Sequence, residues 1–544
     1  MPEISELQSL KEEIRSSIRL QPIFKLSKIN AYESFLNFSL NYTIDHYDNF
    51  TFISSAFDSY ETFIQYLLTE NDIKQEYKTW NLINRQYNLF LINYLKMCNL
   101  FLDSILAYET WIIKLNKIID SDVSRTFEFE QNFSIINKEK FFYTSMLLYD
   151  NKTRSNSEEF SSNSESYWPL VLLKMIDFMF DIDKDLLDIK VDDAHNTVWD
   201  VLNVYKCIFL IWLERLMQIL SPDDDILKFQ SYLKFNTESF YNLINSVLLK
   251  TKNIKYRTKF LREVIWKLGY NLGDFYNVWD IKKIDFKSSP LVFFWNNVYL
   301  PFHFIHILNP NRSFLSHINK SYNNIFNWGY FSKIFSDIPL KKLQKKFVEI
   351  KIPNVVLQKN INIKITNSDV DYSVFDKNSG TLMIFESKNF IQTHSMHDTL
   401  QKEKLSDSPI QKGIKQLEEK IIPFFKNGSI DGFSNFYWEK IVIKQIYWFV
   451  LTWNEFAWIL SDPSKNIRVI SLDRSLEILE KLKNNPELLF KNVDVLADYH
   501  YYLSTVKKPN YCISEFNLPL FTISNDLSKI DKDIIFKIPV IKDK

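Results

Sequence analysis

The chain is 544 residues long, and its 66 lysine and arginine residues balance 66 aspartate and glutamate residues. This length predicts two or more domains, and a content of 46% apolar residues excludes a generically disordered chain. The charge balance excludes a globally basic protein that coats nucleic acid, so any contact with nucleic acid must come from a local basic patch.

Cysteine usage favours a reducing compartment. The three cysteines, Cys98, Cys207 and Cys512, are far apart and form no CxxC pair, which argues against a disulfide framework and a cysteine zinc site. The N-terminal residues contain no apolar segment typical of a signal peptide. The apolar stretch at 290–308 is interrupted by residues such as Asn297 that are costly in lipid, so it predicts buried core. We therefore expect a cytoplasmic protein without a membrane partner.

Glycine usage divides the chain. No glycine precedes Gly269, and a long stretch without residues that accept positive φ favours helices over hairpins. Helical lengths with mixed apolar spacing occur at 55–69, 80–118, 169–188 and 196–220. We predict that residues 1–310 form a mostly helical region, interrupted by an exposed loop at 151–167 that is rich in Ser, Asn and Glu.

Strand-like sequences begin near residue 345. Short apolar runs predict strands at 347–352, 354–365, 371–376, 381–388, 440–452 and 467–472. Strands joined by a crossover helix indicate a mixed sheet with helices. The sequence therefore predicts an α+β multidomain protein. Its mostly helical N-terminal region is followed by an α/β core with a central mixed sheet at 311–475, and then by a helical or irregular extension at 476–544.

The crossover helix is predicted at 408–422. Ser408 suits the N-cap, Pro409 suits the first helical position, and Gln411 completes a capping box. One apolar stripe at helical spacing is formed by Ile410, Ile414, Leu417 and Ile421.

A hairpin supplies the main functional signal. Residues 377–380, Lys-Asn-Ser-Gly, are a turn sequence between two apolar runs. With the turn centred between Asn378 and Ser379, Asp371 lies opposite Glu386, on one face of the sheet. Lys388 shares that face because it is two residues beyond Glu386.

Two opposed carboxylates on a partly buried sheet repel each other, and a divalent cation removes the conflict. Carboxylate and carbonyl oxygens suit Mg²⁺ or Mn²⁺. Asp371, Glu386 and Ser387 are the predicted metal ligands. The ion would polarise a scissile phosphate, and Lys388 would orient the attacking water and stabilise charge on the phosphoryl group.

The segment from Ser368 to Phe390, SDVDYSVFDKNSGTLMIFESKNF, resembles the D-(x)n-E-x-K core of the PD-(D/E)XK (restriction-endonuclease-like) nucleases. The resemblance implies a restriction-endonuclease-like core in which Asp371 and Glu386 bind metal and Lys388 assists hydrolysis. QKGIKQLEEKI resembles the helix that follows this core in several branches, where a lysine or glutamine faces the site. Lys412 and Gln416 match that feature.

Several other residues compete for these roles. Asp369 shares the face of Asp371 but lies beyond Glu386 in this register, whereas Asp376 falls on the opposite face by alternation. Glu349 is a candidate for the additional upstream acid of the family. It belongs to one of three further E-x-K triplets, at 76–78, 349–351 and 418–420. The alternative without a catalytic function is a surface hairpin whose charged side chains are solvated.

Three further patterns have structural interpretations as well as functional ones. The HxxH pair His394 and His397 has no third ligand nearby, so a loop pair is favoured over zinc. A basic run comprises Lys341, Lys342, Lys345 and Lys346; it is typical of a solvated helix face, with phosphate contact as the alternative. An aromatic cluster comprises Tyr447, Trp448, Trp453 and Trp458; core packing is favoured for it over base stacking.

The resulting hypothesis is a metal-dependent endonuclease acting on nucleic acid, with DNA as the expected substrate and restriction, phage defence, repair or recombination as possible settings. One alternative is a catalytically silent nuclease-like binding protein. Another is a helical scaffold whose N-terminal region binds a protein partner or forms a homodimer.

Overall fold

The structure is a computed structural model. The residues that it describes lie, with gaps, in the ranges 27–36, 63–67, 113–131, 176–219, 234–271, 289–300, 310–322, 328–363, 368–388, 409–423, 443–453, 467–496 and 516–539. The loop predicted at 151–167 lies outside them.

Helices occur throughout the described residues. Those with defined ends are α1 (Lys184–Leu187), α2 (Val198–Ile219), α3 (Thr237–Lys252), α4 (Thr258–Lys267), α5 (Pro310–Ser321), α6 (Trp328–Ile350), α7 (Pro409–Gln416), α8 (Leu472–Lys481) and α9 (Glu487–Lys491). A π-helical turn, Leu417–Ile421, continues α7, and a 3₁₀ turn, Val493–Leu496, follows α9. None of the described helices combines the length and apolarity that crossing a membrane requires.

The described strands form four sheets. They are β1 (Ile113–Asp120), β2 (Ser124–Gln131), β3 (Lys234–Asn236), β4 (Gly269–Asn271), β5 (Leu291–Phe294), β6 (Asn297–Tyr299), β7 (Val355–Ile363), β8 (Ser368–Asp376), β9 (Thr381–Ser387), β10 (Gln445–Thr452), β11 (Ile467–Ser471), β12 (Phe516–Asn517), β13 (Thr522–Ile523) and β14 (Asp533–Pro539). Together with the helices, these sheets confirm the α+β class.

The largest described sheet has the order β11-β10-β9-β8-β7. Its β7, β8 and β9 pair antiparallel, while β9, β10 and β11 pair parallel, so the sheet is mixed. The antiparallel turn between β8 and β9 is fixed by Asp376, whose carboxylate accepts hydrogen bonds from the backbone N–H groups of Asn378 (3.2 Å) and Ser379 (2.9 Å). Gly380 closes the turn with φ 73°, a value that favours glycine.

Both faces of this sheet are covered. On one face, apolar residues of β8 to β11 pack against the stripe of Ile410, Ile414, Leu417 and Ile421 that α7 and its π turn present. The predicted helix and its stripe are thus confirmed, with Pro409 at the first helical position. The opposite face belongs to a second hydrophobic cluster, which includes residues of α6 and α8 and extends to α2, α3, α4 and α5. Because both faces are buried, a charged side chain within the sheet needs a specific partner.

The predicted strand at 347–352 is wrong, because α6 continues to Ile350. Leu343, Phe347 and Ile350 are buried at i, i+4 and i+7, a helical spacing, whereas Val348 is exposed. Lys351 then ends the helix with φ 50°. The other five predicted strands are confirmed, with ends shifted by a few residues.

Strands inside the first 310 residues were not predicted. Helix α2 confirms the prediction for 196–220, but the helix predicted for 80–118 is wrong at its end, where β1 pairs with β2. A second sheet, β3-β6-β5-β4, contains part of the apolar stretch predicted as buried core, and Leu291 to Phe294 are buried. Residues 301–308 of that stretch lie outside the described residues. The C-terminal extension is not only helical or irregular, because β14 adds to the edge of β2.

Candidate metal centre

The β8–β9 hairpin brings Asp371 next to the end of β9. Phe375 pairs with Leu382 and Ser373 with Ile384, as the sequence predicts. The paired residues run as far as Tyr372 and Phe385. Asp371 lies one residue beyond Tyr372, and its Oδ2 accepts a hydrogen bond of 2.7 Å from the backbone N–H of Ser387, two residues beyond Phe385. The Asp371 carboxylate is therefore held against the backbone that directly follows Glu386.

Glu386 is a buried carboxylate at the end of a buried strand. Its side chain is only 2% exposed, and on the neighbouring parallel strand it lies opposite Val450, which belongs to the hydrophobic cluster beneath α7. Removing a carboxylate from water costs several kcal/mol unless a cation and hydrogen bonds compensate. A carboxylate at this position therefore requires a positive charge in contact with it.

Lys388 supplies a positive charge. Its backbone N–H donates to the Leu451 carbonyl (2.9 Å), which holds the residue just past the end of β9 against β10. Its Nζ lies 2.6 Å from Glu386 Oε1 and donates to Gln416 Oε1 at 3.2 Å. The ammonium group therefore links the glutamate of the sheet to the glutamine of α7.

Gly413 makes room for this lysine and was not predicted as part of the site. A Cβ atom at Gly413 would lie 2.7 Å from Lys388 Cγ and 3.3 Å from Val450 Cγ1. The Lys388 side chain therefore crosses α7 at the one position of that turn without a side chain. A glycine inside an amphipathic helix costs about 1 kcal/mol in helix propensity and was the sequence signal for this close approach.

Asp371, Glu386 and the Ser387 carbonyl offer oxygen donors of the type that Mg²⁺ prefers. Asp371 and Glu386 stand on adjacent strands, and the Ser387 carbonyl lies in the same chain segment. Within the described ranges, no group of three or more His, Cys, Asp or Glu residues could hold a metal ion. Mg²⁺ nevertheless needs only one or two carboxylates, since it keeps several water ligands. The lysine ammonium at 2.6 Å from Glu386 marks a place where positive charge is stabilised.

Two of the competing residues, Asp376 and Glu349, have other contacts. Asp376 is used in the turn, as described above. Glu349 lies on the exposed side of α6, within 4 Å of the amino groups of Lys345 and Lys346, so the E-x-K triplet at 349–351 belongs to a helix end and not to a strand. Asp369 lies on β8 opposite Asn362 of β7. His394 and His397 lie outside the described residues.

Lys412 and Gln416 have different surroundings. Gln416 contacts Lys388, whereas Lys412, one helical turn earlier, is exposed to solvent. Tyr372 follows Asp371 in the sequence. Its hydroxyl is buried, and burial raises the pKa of this hydroxyl, which therefore stays protonated. The polar groups brought together by the structure are therefore Asp371, Glu386, Lys388 and Gln416.

The basic run on α6 makes local contacts. Lys341 pairs with Asp185 and Lys346 with Glu480, and Lys342 lies over the ring of Trp453 (5.7 Å). Trp453 is buried against Phe335, and Trp448 is buried in the sheet. These contacts favour helix-surface ion pairing and core packing over phosphate contact and base stacking. Trp458 lies outside the described residues.

No protein-family model, no curated protein and no solved structure matches this chain.

Proposed function

We propose that this chain is a nuclease that hydrolyses phosphodiester bonds with Mg²⁺ or Mn²⁺. The observation that carries the proposal is the contact of Lys388 with the buried Glu386, at the end of a hairpin strand, beside Asp371. A solvated surface hairpin has no reason to bury a carboxylate to 2% exposure. Enzymes, in contrast, often hold charged groups in sites where their burial must be compensated.

The topology supports a restriction-endonuclease-like core. The resemblance of the E-x-K segment implies a central mixed sheet followed by a helix that faces the site. The order β11-β10-β9-β8-β7, with α7 covering the face of Glu386, agrees with that implication. We place the core at 311–475, and we assign the recruitment of substrate, with DNA as the first choice, to the region before it.

Each residue has a defined role in the proposal. Asp371, Glu386 and the carbonyl of Ser387 would hold the cation, which supplies Lewis-acid polarisation of a phosphate ester. Lys388, whose Nζ contacts Glu386 and Gln416, would stabilise negative charge developing on the phosphoryl group. Gln416 positions Lys388 by accepting a hydrogen bond from it, and Lys412, exposed on the flank of α7, would contact the substrate backbone.

A cleavage assay tests the proposal. Supercoiled plasmid and labelled oligonucleotides, both DNA and RNA, are incubated with the full chain in Mg²⁺, Mn²⁺ or EDTA. We expect DNA cleavage in either metal, none in EDTA, and a rate lower by about a hundredfold or more for Lys388→Met, because a charged group aimed at the reaction contributes on this scale. Exposed Lys415→Met is the matched control. Cleavage that persists in EDTA, or an absence of cleavage in both metals, would contradict the proposal.

Gly413→Ala tests whether the absence of a side chain at Gly413 is needed to position Lys388. The new Cβ would push Lys388 from its position at the site, since Lys388 Cγ lies within 2.7 Å of it. Displacements of about 1 Å cost up to roughly a hundredfold in rate, so we expect cleavage at least about tenfold slower. Thermal stability should change little, because the gain of about 1 kcal/mol in helix propensity offsets the crowding. Cleavage at the wild-type rate would show that Lys388 has no defined position.

A further inference from the structure

The segment from Lys252 to Lys267 concentrates positive charge in a chain that is neutral overall. It contains six basic residues and one acidic residue, Glu263. The basic residues are Lys252, Lys255, Arg257, Lys259, Arg262 and Lys267. The segment comprises the end of α3, the α3–α4 loop and α4, so its charges are fixed on an ordered surface of the second described sheet and its helices.

Three of these basic side chains do not stabilise the described part of the chain through ion pairs or hydrogen bonds. Lys255, Arg257 and Lys259 are exposed, and within the described part of the chain their side chains form no ion pair and no hydrogen bond. Arg262 is exposed as well; it pairs with the exposed Glu238 at 2.7 Å and lies over the ring of Tyr241, 5.7 Å from the ring centroid. Such exposed pairs contribute little to stability. The charge of this surface is thus available to a ligand.

The position of the cations is electrostatically unfavourable for the free protein. Lys255, Arg257 and Lys259 lie at or next to the N-terminus of α4, which carries a partial positive charge. The helices α1, α2 and α3 each have an acidic residue in the first turn, whereas α4, like α5, α6 and α7, has none. Asp183 and Asn236 cap α1 and α3, whereas the N-cap of α4 is Arg257, which makes no side-chain capping bond.

An exposed tryptophan lies on the same face of α4. Trp266 follows Lys259 and Arg262 at i+7 and i+4, so the three side chains form one stripe about 10 Å long. Its side chain is 54% exposed and lies against the ring of Phe293, with ring centroids 5.2 Å apart. Two residues beyond Phe293, Trp295 occupies the tip of the β5–β6 hairpin, 70% exposed and with φ 50°. Non-glycine residues rarely adopt this conformation, and a bulky one at an exposed tip has no packing reason to do so.

We infer that the outer face of α4, with the preceding loop, is a binding surface for single-stranded nucleic acid, separate from the Glu386 site. The cations would contact phosphates, and the indole of Trp266 offers a face on which a base stacks. An acidic protein would satisfy the cations but not explain the exposed tryptophans, so nucleic acid is the occupant that both features favour. Binding at this surface does not depend on the proposed nuclease activity.

The test is fluorescence anisotropy of a labelled 20-nucleotide thymidine oligonucleotide with the full chain in EDTA. The variant Lys255→Ala/Arg257→Ala/Lys259→Ala is compared with a control triple at other exposed lysines, Lys345→Ala/Lys481→Ala/Lys491→Ala, so that both lose the same charge. We expect affinity to fall at least about tenfold for the first triple only, with the slope of log K against log salt reduced by about two. Trp266→Ala should weaken binding by about tenfold, and Trp266→Phe should retain most of it.

Three results would overturn the inference. The first is an unchanged affinity of the first triple variant for the oligonucleotide, and the second is an equal loss of affinity in both triple variants. The third is that polyglutamate displaces the labelled oligonucleotide as well as unlabelled oligonucleotide does, while Trp266→Ala binds with normal affinity. The last would identify an acidic protein as the partner. The first triple should also unfold at the wild-type temperature or above, since its cations oppose the helix dipole. Because EDTA prevents metal-dependent cleavage, failure of the nuclease proposal would leave this measurement unaffected.

Discussion

Replacing Glu386 by glutamine is expected to lower metal-dependent cleavage at least about a thousandfold. Glutamine keeps the size of the side chain and an oxygen that accepts from Lys388, but it removes the charge that would hold the cation. The loss of a ligand charge and of a preorganised electrostatic interaction together justify this magnitude. Rates are measured on oligonucleotides at saturating Mn²⁺, and metal affinity is measured by calorimetry with Mg²⁺ or Mn²⁺ on the full chain.

The fold should tolerate this change. Glu386 is buried, so neutralising it removes a desolvation cost, while Lys388, with a side chain 24% exposed, keeps access to water and to Gln416. We expect the free energy of unfolding to change by no more than about 1 kcal/mol. Exposed Glu419→Gln on α7's π turn is the matched control for charge. If Glu386→Gln cleaves and binds metal like the wild type, the site assignment fails even if the protein is a nuclease.

The hairpin was predictable because its determinants are local. A turn sequence with Asp376 and Gly380 fixes the centre of the hairpin, and the period of two then fixes which side chains share a face. For this reason the sequence alone correctly places Phe375 opposite Leu382. The helix α7 was predictable for the same reason, since its apolar stripe and Pro409 are encoded within one short segment.

Features that depend on distant partners were not predictable. The strand β1 is stabilised by β2, whose other edge pairs with β14, some 400 residues away in the chain. The alternation of Ile113 and Leu115 was present, but a long apolar window concealed it. The apolar residues at 347–352 predicted a strand because they are closely spaced in the sequence. The helical spacing becomes visible only when the buried Phe347 and Ile350 are considered together with the buried Leu343.

Gly413 illustrates the same limit within the site. Its sequence position marks an unusual residue in a helix, but which side chain crosses it depends on how α7 lies on the sheet. Likewise Lys412 and Gln416, one turn apart, are equivalent in sequence, and only the tertiary arrangement gives Gln416 the contact with Lys388. Sequence thus predicts the members of a motif, while packing decides which of them meet.

Gly269→Ala is expected to destabilise the protein by about 3 kcal/mol, at the upper end of the usual cost of overpacking. Gly269 begins β4 and pairs with Leu291 of the parallel strand β5. A Cβ at this position would lie 2.3 Å from Phe293 Cε2 and 2.8 Å from both Cβ and the carbonyl oxygen of Leu291. The backbone of a paired strand cannot retreat without breaking its ladder, and Phe293 is fully enclosed. The measurement is denaturant unfolding of the full chain followed by circular dichroism.

The cause can be separated from a general effect of the substitution. In the unfolded chain, alanine is less flexible than glycine, which by itself stabilises the native state by about 0.4–1 kcal/mol. An unchanged or raised stability would therefore contradict the steric argument. Phe293→Leu replaces the ring that lies against Gly269 with a smaller side chain. The double variant Gly269→Ala/Phe293→Leu should therefore lose less stability than the sum of the two single variants. The coupling should remain incomplete, because the carbonyl oxygen of Leu291 stays in place whatever side chain stands at 293.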